Sequence, residues 1–376
     1  MNKMVKINIL SPGRFHVCDL ARELDHCGFD VKYYSFVLPK RTEKYGLSKR
    51  CCCSLFYWLF PFLYLERCLF KKKIWANILR KNVQDFVTAL LMRRCDVLIA
   101  MSGGFLRSIN KAKSQGSLII VERGSKHILE QKRILDELKM IHPQINTVHD
   151  INVRRELEGY EIADYVAIPS QHVRRSFAVH HYPMKKLFLN PYGVDVSMFH
   201  PSREVEKKYD LIMVGGWSLQ KGCDLIIDAV RITGLCLLHV GALVDLDFPN
   251  EENFTHINPV DQSELVKYYN MAKIFILPSR QEGLAMVQVQ AIACNLPIIG
   301  SPNSGALDLK RMVESPEYII IIEDWNVSSV VSAINHALAL KTIQNEKQYA
   351  GNAIYNLTWE AYGKRYAEFL RSIISE

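Results

Sequence analysis

Pro278-Ser279-Arg280-Gln281-Glu282-Gly283-Leu284 runs into an apolar segment and then into Asn295-Leu296-Pro297-Ile298-Ile299-Gly300-Ser301. The pattern predicts a strand over 273–277, a turn carrying an acid and a glycine, a helix over 284–294 and a second strand over 296–300. Strand, polar turn and helix N-terminus in immediate succession make a phosphate-binding construction. Glu282, just ahead of the helix, can accept hydrogen bonds from a polyol. The free N–H groups and positive dipole of the first turn, at Leu284, can receive a diphosphate. A nucleotide-sugar presents both groups. Read for local structure alone, the same acid-glycine pair is a helix cap.

Working outward, 209–214 reads as a strand, 223–232 as a helix and 236–240 as a strand. Asp261 with Glu264 three residues later is a capping box for a helix ending near Ala272. Val214-Gly215-Gly216-Trp217-Ser218-Leu219-Gln220-Lys221-Gly222 is a glycine-rich strand-to-helix turn with one lysine. Its backbone N–H groups and the Lys221 ammonium can together hold a diphosphate. A similar series opens the chain: a strand over 4–10, a break at Ser11-Pro12-Gly13-Arg14, a helix over 17–24 and a strand over 30–36. Further strands are expected at 96–101, 117–122 and 165–169. Residues 190–203, with two prolines and a glycine, read as a hinge. Two α/β halves joined this way form a cleft lined by strand C-termini and helix N-termini.

The 376 residues suffice for two such cores. A hydrophobic share of 49% and a charged share of 23% are ordinary for a soluble globular chain. The net charge of +8 is uneven: residues 1–190 carry 32 Lys plus Arg against 17 Asp plus Glu, which leaves −7 for the rest. No helix-turn-helix, zinc or RNA-binding signature accompanies the basic half, so no nucleic acid partner is expected. The 10 cysteines include the run Cys51-Cys52-Cys53 and no CxxC pair. With no secretory leader before the first strand, a reducing cytoplasm is the expected setting.

The segment 49–73 is the most unusual in composition. Residues 51–65 are nearly all apolar or aromatic, with Phe56, Tyr57, Trp58 and Phe60 among them. Lys49 and Arg50 precede the run, and Arg67, Lys71, Lys72 and Lys73 follow it. A bilayer span needs about 20 apolar residues, more than this stretch has, and Pro61 interrupts it. An aromatic run fringed by cations fits the headgroup region of an anionic membrane. A buried helix with a solvated charged flank fits the same composition.

The acid-glycine turn, with Gln290 eight positions after Glu282, resembles the donor-site signature of retaining glycosyltransferases of family 4 (glycosyl transferases group 1). The resemblance extends over essentially the whole chain. It implies a GT-B fold, two Rossmann-like α/β domains facing across a cleft. Residues 1–190 would form an acceptor-binding domain, 191–208 the hinge and 209–356 the nucleotide-sugar domain. A C-terminal helix over 357–376, opening at Trp359, would cross back to the first domain.

In that family the first acid binds sugar hydroxyls and the second usually holds the ribose. Gln290 departs from the pattern, since an amide brings no charge. In the glycine-rich loop the resemblance matches Lys221, whereas the family's arginine is here Gly216, so a second cation must come from elsewhere. The donor set it implies is Gly13, Gly215, Gly216, Lys221, Glu282, Gly283, Leu284 and Gln290. Gly13-Arg14-Phe15-His16 would lie over the donor phosphates and the acceptor. His127, in Glu122-Arg123-Gly124-Ser125-Lys126-His127, is the candidate histidine near the reacting sugar, and His149 is the alternative. Ser304-Gly305 matches a small-residue turn near the donor. Asn190-Pro191-Tyr192-Gly193-Val194-Asp195 with Phe199 resembles the family's hinge.

Asp245-Leu246-Asp247 has the spacing of a metal-binding acid pair, but GT-B enzymes need none, and neither a catalytic metal nor a cofactor is expected. The implied function is metal-independent, retaining sugar transfer from a nucleotide-diphosphate sugar, catalysed through Glu282, Lys221 and His127. The acceptor would be a saccharide, lipid-linked, in cell-surface polysaccharide synthesis. Arg14, His16, Trp58, Lys71 and Lys72 would lie on the acceptor or membrane side, with the protein held at the inner face of the plasma membrane. The contrasting expectation is a weak or silent nucleotide-sugar-binding subunit, for which Gln290 and Gly216 both argue.

Overall fold

The computed structural model describes residues 4–61, 74–343 and 348–374. They form two parallel sheets. The first contains β1 (Lys6–Leu10), β2 (Asp30–Ser35), β3 (Cys52–Ser54), β4 (Val97–Met101), β5 (Leu118–Glu122), β6 (Tyr165–Ile168) and β7 (Leu187–Leu189). Their order is β3-β2-β1-β4-β5-β6-β7. The second contains β8 (Tyr209–Val214), β9 (Leu237–Val240), β10 (Phe254–Ile257), β11 (Ala272–Ile276), β12 (Ile298–Gly300) and β13 (Ile319–Ile321), in the order β10-β9-β8-β11-β12-β13. Strands such as Val97-Leu98-Ile99-Ala100 are apolar at every position because helices cover both faces.

Alternation along each strand divides the first sheet between two cores. Ile7, Ile9, Val97 and Ile99 face a core that continues through Tyr192, Val194 and Phe199 of the hinge into the second sheet. Leu10, Leu98 and Ala100 face a separate core on the other side. The C-terminal helix Trp359–Ile374 lies on the first helix, His16–His26, although it follows the second sheet in sequence. Gly363 permits the approach, since a Cβ there would stand 2.2 Å from the Cβ of Glu23.

Strand order reverses at β1/β4 in one sheet and at β8/β11 in the other. Ligands of open α/β sheets bind beyond the strand C-termini at such points. The loops after β1, β8 and β11 are those carrying Gly13, Lys221 and Glu282.

Several expectations need correction. The helix after Glu282 is Met286–Ala293, with Ala285 extended at its N-cap, so its first turn opens two residues beyond Leu284. Asp261 makes no side-chain cap on the helix Gln262–Asn270. Its carboxylate is instead paired with Lys44 at 2.7 Å, across the cleft. Of the run 51–65, residues 62–65 lie outside the described residues, and the rest is not one helix. Cys52–Ser54 is an edge strand on β2, and 56–61 are helical, with Leu55 and Leu59 buried and Tyr57, Trp58 and Phe60 exposed. Lys71 and Lys72 lie outside the described residues. Strands β3, β7, β10 and β13 are not among those expected from the sequence. Among the described residues no helix is long and apolar enough to cross a membrane.

Candidate functional site

The loop after β8 is shaped by glycines. Gly215 has φ +130°, and a Cβ at Gly241 would stand 1.9 Å from the Gly215 carbonyl oxygen, so this close approach needs glycine. The carboxylate of Asp245 accepts from the Leu219 N–H at 2.9 Å, and the carbonyl of Asp247 accepts from Trp217 Nε1 at 3.3 Å. Asp245 thus braces this loop through its carboxylate and Asp247 through its main chain.

Gly222, at φ +75°, packs under Pro278 and brings the loop against the turn after β11. Gln220 Nε2 donates to Gln281 Oε1 at 2.8 Å, and Arg280 clamps Asp224 through two bonds of 2.6 Å. Between these contacts the Lys221 ammonium pairs with the Glu282 carboxylate. Both side chains keep partial exposure, 24% and 18%. Such a pair can exchange partners when a diphosphate and a sugar arrive.

The loop after β5 closes onto this turn from the other sheet. Gly283 touches Gly124: an added Cβ would stand 1.9 Å from the Gly124 carbonyl oxygen. Gln281 Nε2 donates to Ser125 Oγ at 2.6 Å, and Lys126 Nζ donates to Asn303 Oδ1 at 3.2 Å. Burial pushes the Lys126 ammonium down to about 8. Asn303 in turn accepts, through its carbonyl, from the Glu282 N–H at 3.1 Å. Lys126 thus ties the loop after β5 to Asn303, the residue that also holds the Glu282 N–H. Sequence reading singled out its neighbour instead. The usable signal is that 123–126 follow a strand at the same end of the sheet as Gly13.

His127 turns away from the cleft. Its ring stacks on His180 at 4.5 Å and packs on Phe177 and Tyr160, and Nδ1 accepts from the Leu129 N–H at 3.4 Å as the N-cap of Ile128–Ile141. Burial holds its imidazole neutral, down to about 3. We therefore reassign it from chemistry to capping. His149 is likewise an N-cap, of Asp150–Ile162. His16 is buried at the start of the first helix: its Nε2–H donates to Glu122 Oε2 at 3.1 Å, and its ring packs on Tyr192 at 4.4 Å. Glu122 Oε1 accepts from Tyr366 Oη at 2.8 Å, which ties the C-terminal helix to the end of β5.

Arg14 stacks over Tyr45 at 3.6 Å and donates to Gln262 at 2.7 Å across the cleft. The Gly13 carbonyl accepts from Tyr33 Oη at 2.7 Å. Leu284 is buried and touches the turn at Gly305, where an added Cβ would stand 2.6 Å from it. Gln290 is buried, and its Oε1 accepts from Tyr269 Oη at 3.0 Å, so the amide at the ribose position already has a partner inside the domain. Trp58 is 62% exposed and outside this cluster.

Comparison with known proteins agrees with this geometry. Residues 197–356 match the model of glycosyl transferases group 1. Over 246 residues the chain is 25% identical to a GDP-mannose-dependent alpha-(1-6)-phosphatidylinositol monomannoside mannosyltransferase of Mycolicibacterium smegmatis, covering 55% of this chain and 62% of that protein. The chain thus spans less than two thirds of this curated relative. Among solved structures, sucrose-phosphate synthase of Thermosynechococcus elongatus superposes with a TM-score of 0.69 at 15% identity, over 99% of both chains. Anabaena HepE in complex with UDP-glucose superposes with a TM-score of 0.65 at 13% identity, over 98% of this chain and 100% of that one. The chain has the GT-B fold, and its residues 197–356 carry a domain matching glycosyl transferases group 1.

Proposed function

We propose that this protein is a retaining, metal-independent glycosyltransferase that moves a hexose from a nucleotide-diphosphate sugar to a saccharide acceptor. The observation that carries the reading is the Lys221–Glu282 pair at the β8/β11 switch point, with the loop after β5 closed over it. When the donor binds, Lys221 turns to the diphosphate and Glu282 to the sugar hydroxyls. Lys126 supplies charge from the opposite wall, in place of the arginine missing at Gly216. The departing phosphate takes the proton of the acceptor hydroxyl on the same face of the sugar, which retains the anomeric configuration. Lys221, Lys126 and loop N–H groups stabilise the developing charge. Contact between Gly124 and Gly283 excludes water, a competing acceptor.

Arg14 and His16 stand on the acceptor side. The exposed Tyr57, Trp58 and Phe60, next to Lys49 and Arg50, support a lipid-linked acceptor met at an anionic membrane surface, as in cell-surface polysaccharide assembly on the cytoplasmic side. The phosphatidylinositol mannoside named for the mycobacterial relative supports the same class. A silent binding subunit is the second reading, favoured by the engagement of Gln290 with Tyr269.

The test is nucleotide release from UDP-, GDP- and ADP-sugars, with and without membrane lipid extract, and proton NMR of the product anomer. Release with one donor, raised by lipid and giving the donor's anomer, supports the proposal. An inverted product overturns retention. Nucleotide binding without release under any condition selects the silent subunit, and absence of binding overturns the donor site.

A further inference from the structure

His239 lies on β9 and is fully buried, yet makes two polar contacts. Its Nε2 is 2.9 Å from the Gly215 carbonyl oxygen, and its Nδ1 is 2.9 Å from Nδ1 of His256, on the adjacent β10. A carbonyl only accepts, so Nε2 must carry the proton. Burial keeps the ring neutral, down to about 4. Nδ1 of His239 is then a lone pair, and His256 must donate its own Nδ1–H to it. The two contacts together fix the tautomer of both rings. The pair is further packed by Trp217 and Phe248, each against His239, so the imidazole has little freedom to turn.

The consequence reaches the phosphate loop. The Gly215–Gly216 peptide is trans and planar, so its N–H points opposite to its carbonyl. With the carbonyl drawn toward β9, the Gly216 N–H is turned to the other side of β8, which is the β11 side where Lys221 meets Glu282. The flanking N–H groups are both spent, Gly215 on Val240 and Trp217 on Ala242. Gly241 leaves room for the inward carbonyl, as an added Cβ would collide with it.

We propose that His239 is a positioning residue for the donor diphosphate. It orients the Gly215–Gly216 peptide so that the Gly216 N–H binds a phosphate oxygen where related loops place a cationic side chain, and His256 holds His239 in the required tautomer. The proposal rests on the donor-site reading above.

The test uses whichever of UDP or GDP the wild-type chain binds, together with the corresponding monophosphate. His239→Phe fills the space without a donor, whereas His239→Gln places an N–H the same number of bonds from the backbone. Affinity is measured by calorimetry. The expected result is a loss of about tenfold or more for the diphosphate in His239→Phe, with the monophosphate changed less than about twofold and the loss largely restored in His239→Gln. Equal losses for both nucleotides, or no loss, overturn the proposal. If His239→Phe does not fold, nitrogen-15 NMR of the wild type decides: a proton on Nε2 of His239 and a Gly216 amide shift on adding the diphosphate support it, and a proton on Nδ1 or an unmoved amide overturns it. Failure of the wild type to bind any of these nucleotides instead overturns the donor site itself.

Discussion

Glu282 and Glu122 invite comparison, because each stands near the C-terminal end of a parallel strand, next to a glycine-containing turn, on opposite walls of one cleft. Glu282 keeps 18% exposure and pairs with Lys221, 61 residues away within the same sheet. Glu122 keeps 3% and is held by His16 from the first helix and by Tyr366, 244 residues further on. An ion pair that keeps partial exposure can trade its partners for those of a ligand. A buried carboxyl group held by a phenol and an imidazole N–H is fixed, because losing either leaves a buried oxygen without its donor. The same residue type thus keeps a partly exposed ion-pair partner on one wall and ties distant elements together on the other.

The largest expected effect comes from forcing the two walls apart. Gly283→Ala places a methyl group against the Gly124 carbonyl. Displacement of about 1 Å at a reacting centre costs on the order of 100-fold, so donor turnover should fall by that order while nucleotide diphosphate still binds. Steady-state nucleotide release and calorimetry check this. Unchanged turnover would mean that closure of these loops plays no part in the reaction.

Acidification should act on the fold. His127, His172 and His239 are held neutral by burial, down to about 3, about 3 and about 4. Lowered folded values mean that the unfolded chain binds more protons below its ordinary histidine pKa of about 6.5. Stability should therefore be full above pH ~6.5 and fall as the pH drops toward 4, by up to about 1.4 kcal/mol per pH unit for each histidine. Urea unfolding at pH 7 and pH 5 measures the slope.

Tyr366→Phe should cost about 1–3 kcal/mol through the abandoned Glu122 oxygen. It should lower the melting temperature and leave turnover within a fewfold of wild type at permissive temperature. A loss of turnover at unchanged melting temperature would move Glu122 into the chemistry and break the comparison. The smallest effect is expected for His127→Asn, which keeps a capping acceptor. Turnover should change less than about fivefold, and a drop on the scale of Gly283→Ala would return His127 to the catalytic set.

The wall carrying Glu282 and Lys221 was legible in the sequence because its geometry is local. The Glu282 turn, the glycines of 215–222 and Lys221 each follow a strand within a few residues, and backbone requirements leave a readable trace. The opposite wall depends on distant partners. Nothing near Glu122 announces Tyr366, and nothing in the run 122–127 says that Lys126 reaches Asn303 while His127 caps a helix. The Asp261-Glu264 pattern misled for the same reason, since Lys44 outcompetes the helix for the carboxylate. Likewise the partner of Gln290 is a tyrosine of the preceding helix, 21 residues away.

The central claim is that Glu282 acts on the donor sugar and not on the nucleotide. It is tested most directly by single-turnover nucleotide release in wild type and Glu282→Ala, with nucleoside diphosphate affinity measured on the same samples. The account predicts release slower by about 100-fold or more, with affinity retained or tightened as Lys221 is freed. Unchanged release, or affinity lost in parallel with it, would contradict the account.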